Sequence, residues 1–92
     1  MAIQSASEFE AVVNHVLIKI EKVLNERGSV TSLETASRDL RHISAAARVP
    51  AKLKALRALV EKTTDTLSGE LSDDSVLLDQ LWDLADYIDY RA

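Results

Sequence analysis

The sequence predicts an all-α protein, an antiparallel up-down-up-down four-helix bundle, and three observations carry that prediction. The 92 residues contain only two glycines and one proline among abundant Ala, Leu, Glu and Lys, a composition suited to helix. Apolar residues recur at alternating spacings of three and four in four successive stretches, each bounded by cap or breaker residues. The stretches are similar in length and joined by short segments, which makes consecutive helices antiparallel neighbours. A chain of this size forms one domain around one modest core.

The first helix is expected over about residues 8–27. Ser7-Glu8-Phe9-Glu10 has the form of a capping box, and Ser5 with Glu8 offers the same spacing two residues earlier. Phe9, Val13, Val16, Ile20 and Val23 share one face, and Gly28 is placed to stop the helix. The β-branched density of AVVNHVLIKI is also that of a strand, but the length, the cap and the spacing favour helix. Ile18 falls outside the apolar face, either as an isolated surface hydrophobe or as a contact site.

The second helix is expected over about 32–47, with Thr31 and Glu34 in capping-box register and Val30 as a staple. Its core face is narrow: Leu33, Ala36, Leu40, Ile43 and Ala47. Its far face carries Arg38, Arg41, His42 and Arg48. Pro50 lacks a backbone donor and suits the first turn of a new helix, so a turn at Arg48-Val49 is expected, with a single kinked helix as the rival. The third helix then runs over about 50–68 on Leu53, Leu56, Val60, Thr63 and Leu67, and Gly69 ends it. Ser72, Asp73 and Asp74 open a fourth helix over about 73–90, placing negative charge at its N-terminus where the helix dipole favours it.

Charge is segregated along the chain in a way the net −4 conceals. Residues 1–37 carry five acids and three bases, residues 38–62 two acids and seven bases, and residues 63–92 eight acids and one base. Ser72 to Tyr90 holds six aspartates and three of the four aromatic residues. On a helix, Leu77, Leu81, Leu84 and Ile88 take the core side; Asp79, Asp83, Asp86 and Tyr90 take the opposite side, with Trp82 and Tyr87 on the shoulders.

Several kinds of chemistry find no support in these residues. Without cysteine there is no disulfide, thiolate metal site or thiol redox chemistry. Asp39 and His42 have the i, i+3 spacing of a bundle metal pair, but they project away from the seam beside Arg38 and Arg41, and His15 also projects to the polar side. No glycine-rich phosphate loop and no inward acid–base pair is present. The expectation is a non-enzyme with no metal and no cofactor, and a metal- or ligand-holding bundle stands as the remote third reading. With no basic, apolar leader and no apolar run of membrane-spanning length, a soluble cytoplasmic protein away from membranes is expected.

Two functional readings remain. The first is a protein–protein interaction module that binds a basic partner through Asp79, Asp83, Asp86, Trp82, Tyr87 and Tyr90, in the manner of an inhibitor or immunity-type protein, an adaptor or a chaperone. Aromatics supply contact area and aspartates steer a cationic surface. The alternative is a homodimeric regulatory protein that contacts nucleic acid through Arg38, Arg41, His42 and Arg48. The basic segment has no aromatic residue for stacking, and the acidic end repels a polyanion. In the predicted bundle the second and fourth helices lie on a diagonal, so their charged stripes are expected to meet only between subunits, as in a twofold dimer.

Overall fold

The computed structural model, which describes residues 3–28, 30–72 and 74–91, resolves the choices left open above. The helices are α1 (Ala6–Arg27), α2 (Thr31–Ala46), α3 (Pro50–Glu70) and α4 (Ser75–Arg91). The α1 cap is the earlier of the two boxes: the Glu8 N–H donates to Ser5 Oγ at 3.2 Å, and the Gln4 N–H donates to Glu8 Oε2 at 2.7 Å. Gly28 stops α1 at φ 84°, a conformation that favours glycine, and its N–H bonds the Leu24 carbonyl.

Three expected boundaries are corrected. Thr31 is the first residue of α2, not its cap; Val30 holds that position in extended conformation without a side-chain hydrogen bond. Gly69 does not end α3, because the helix runs on to Glu70 and closes with the Leu71 N–H on the Leu67 carbonyl at 2.7 Å. At α4 the cap is Asp74, whose Oδ1 accepts from the Leu77 N–H at 2.9 Å, so the helix starts later than Ser72 implied. Asp73 lies outside the described residues. Pro50 stands in the first turn of α3 behind an extended Val49, so α2 and α3 are separate helices and not one kinked rod.

The helices pack as a ring. α1 lies against α2 and α4, α3 lies against α2 and α4, and among the described residues no Cα atoms approach within 8 Å across either diagonal. On both flanks of α1 the paired side chains run in opposite senses, so α1 is antiparallel to α2 and to α4. Between α1 and α2, Glu10 meets Arg48 and Glu21 meets Arg41; between α1 and α4, Phe9 meets Tyr87, His15 meets Gln80 and Lys19 meets Asp74. Asp39 meets Lys62 across α2 and α3, and Arg57 meets Asp89 across α3 and α4.

One apolar core draws on all four helices, with Phe9, Ile20, Leu33, Ile43, Leu67 and Leu81 among its fully buried side chains. Thr63 and Thr64 are buried with it, and each is satisfied locally: their hydroxyls donate to the Leu59 and Val60 carbonyls at 2.9 and 2.8 Å. Two threonines therefore enter the interior without needing a partner from another helix.

Candidate protein-binding face

α4 is fixed to the bundle by Leu77, Leu81, Leu84 and Ile88, all buried, which turns its opposite side outward as the spacing predicts. Val76, Trp82 and Tyr90 are exposed there, at 57%, 55% and 84%. They are three of the five large hydrophobic side chains exposed among the described residues, with Ile18 on α1 and Val49 in the α2–α3 turn as the others. Asp79 and Asp86 are exposed between them. Neither has an ion pair or hydrogen bond from its side chain to another described residue. Asp83 is half-buried and engaged within the chain.

Tyr87 is a correction to the expected contact set. It is only 7% exposed, with its ring centroid 5.1 Å from that of Phe9 at a 41° tilt, an aromatic contact that closes the α1/α4 seam from inside. The periodicity of α4 alone puts Tyr87 on a shoulder; the neighbouring helix makes that shoulder interior. Tyr87 therefore belongs to packing and leaves the surface to Trp82 and Tyr90.

The flanks of α4 are tied down by polar contacts that the sequence did not indicate. At its N-terminus Asp74 bonds the Leu77 N–H and also accepts from Lys19 Nζ at 3.3 Å. The Leu77 hydrogen bond first, and then the Lys19 ammonium, hold the Asp74 carboxyl below the usual carboxylate range. Midway, Gln80 Nε2 lies 2.7 Å from His15 Nδ1, while Gln80 Oε1 is buried without a hydrogen bond. On the α3 side Arg57 Nε donates to Asp89 Oδ1 at 2.9 Å. Arg57 Nη1 is buried without a hydrogen bond, its nearest charge being Glu61 at 3.6 Å. A cavity of about 460 Å³ opens beside this pair, lined by Lys54, Arg57, Ala58, Glu61, Ile88 and Asp89. Two of the terminal aspartates, Asp74 and Asp89, are thus neutralised by cations of their own chain.

The basic stripe of α2 is divided. Arg48 makes a two-pronged pair with Glu10, Nε to Oε1 at 3.0 Å and Nη2 to Oε2 at 2.8 Å, and this carboxylate raises the Arg48 pKa further. Arg41 Nη2 donates to Glu21 Oε1 at 3.1 Å. Arg38 and His42 are exposed and have no such partner among the described residues. The expectation that the guanidinium groups stand stranded on the flank of α2 is corrected for Arg41 and Arg48. Glutamates of α1, one helix over, reach them, so nucleic-acid contact or reciprocal pairing with α4 would have to displace a carboxylate already in place.

No group of three or more His, Asp or Glu side chains that could hold a metal ion occurs among the described residues. No helix among them is long and apolar enough to cross a membrane. No protein-family model, no curated protein and no solved structure matches the chain. The functional reading therefore rests on the side chains themselves.

Proposed function

We propose that this protein is a non-catalytic interaction module whose α4 outer face binds a basic protein. The observation that carries the reading is the coincidence, on one helix face, of exposed Val76, Trp82 and Tyr90 with Asp79 and Asp86, carboxylates that no cation among the described residues answers. Large side chains left in water gain most from cover by a partner, and indole and phenol rings do so with little loss of rotamer freedom. The aspartates between them attract lysine and arginine and speed encounter. An inhibitor that caps a cationic site, an adaptor and a chaperone all use such a face; the partner's identity separates them.

The test is partner capture followed by reconstitution. A protein retained from a native extract is identified by mass spectrometry, prepared pure, and titrated against wild type and the D79K/D86K double variant. Loss of binding with an unchanged helical circular dichroism spectrum supports the reading. Full retention by the variant overturns it.

A further inference from the structure

Trp82 is the only tryptophan in the chain, and more than half of its surface is left in water on the outer face of α4. Asp79 stands three residues before it and Asp86 four residues after it. These are the spacings at which residues are neighbours on a helix surface, about 5–6 Å between Cβ atoms, so a carboxylate flanks the indole in each direction along the helix. Both aspartates are exposed, and neither has an ion pair within the described residues. The described cations that reach α4 go to other acids, Lys19 to Asp74 and Arg57 to Asp89. No ring or cation of a described residue covers the indole.

We propose that the basic partner seats an arginine on Trp82, with the guanidinium plane stacked on the indole and its N–H edge turned to Asp79 and Asp86. This rests on the reading of α4 as the docking face and adds which cation that face selects.

The chemistry separates arginine from the other occupants. A guanidinium is planar and weakly hydrated, so it lies flat on an indole while its N–H donors point outward in the same plane toward carboxylates. A lysine ammonium is a compact, strongly hydrated point charge that answers a carboxylate but offers the ring no flat face. A quaternary ammonium is attracted to the ring and has no N–H for the aspartates. An apolar cover takes the ring from water but leaves two carboxylates beneath it without a counter-charge, which is costly. The guanidinium alone among these meets both the ring and the acids.

The test uses peptides of about 12 residues, identical except that every basic position is Arg, Lys or the neutral arginine isostere citrulline. Fluorescence anisotropy of fluorescein-labelled peptides at low salt should show the arginine peptide bound about five-fold more tightly than the lysine peptide, and the citrulline peptide not bound. The unlabelled arginine peptide should quench or shift the emission of Trp82, the single indole of the chain. Trp82→Leu, a change at an exposed position, should erase the preference while holding the lysine peptide within about two-fold and leaving the helical spectrum unchanged. Asp79→Asn with Asp86→Asn should weaken both cationic peptides about ten-fold. Equal binding of the arginine and lysine peptides, no binding of the arginine peptide, a preference that survives Trp82→Leu, indole emission unmoved at saturation, or an asparagine double variant that binds as wild type overturns the arginine seat. If D79K/D86K still loses its captured partner in those cases, the docking face stands without it. Retention of the arginine peptide and the partner by D79K/D86K removes the docking face as well.

Discussion

α2 and α4 each turn a charged stripe to solvent, yet the two stripes end in different states. The arginines of α2 lean onto α1, where Glu10 and Glu21 stand at the right heights to receive Arg48 and Arg41. α4 also borders α1, but the edge of α1 facing it offers His15 and Lys19, and these reach Gln80 and Asp74 on the flank and not Asp79 or Asp86 on the crest. The contrast lies in the flanks of the neighbouring helix. A row of like charges becomes a free surface only where the adjoining helix brings no counter-charge to its level.

The largest effect expected bears on where the outer face of α4 ends. Tyr87→Ala removes a buried ring from against Phe9 and should destabilise the fold by about 3 kcal/mol, whereas Tyr90→Ala should change it by less than about 0.5 kcal/mol. Urea unfolding followed by circular dichroism measures both, and equal effects would put the boundary in the wrong place.

Next comes the stripe comparison itself. D79K/D86K should weaken binding of the captured partner about 100-fold, while Arg38→Glu with Arg41→Glu should leave it within about two-fold. Dependence on the α2 reversal instead would invert the functional assignment of the two helices. Raising the salt concentration should weaken the α4 complex, since contacts of exposed charges are screened.

A smaller effect separates the two helices at their starts, because α4 has a side-chain cap and α2 has none. Asp74→Ala should cost about 1 kcal/mol at neutral pH. Folding holds the Asp74 carboxyl below its ordinary value, so its contribution is complete above the unfolded value, and it is lost as the pH falls below about 4 through the lowered folded value. The gap between wild type and Asp74→Ala in urea titrations should accordingly close on acidification; a gap that widens would show that the charge is not what the cap contributes. The smallest effect is at Trp82, where substitution by alanine should leave stability within about 0.5 kcal/mol and act on partner affinity alone.

Periodicity and punctuation were sufficient for the four helices, their order and most of the core. Leu77, Leu81, Leu84 and Ile88 announce the inner face of α4 through spacing alone, and Pro50 announces the break between α2 and α3, because these are local properties of a chain with 3.6 residues per turn. The exposed members of the candidate face, Asp79, Trp82, Asp86 and Tyr90, were legible in the same way. Only the packed bundle placed Tyr87 inside, gave Arg41 and Arg48 their glutamates and paired Asp89 with Arg57. Each of these depends on which helix adjoins which, at what height and in which direction, and a pattern read along one helix contains no information about the flank of the next.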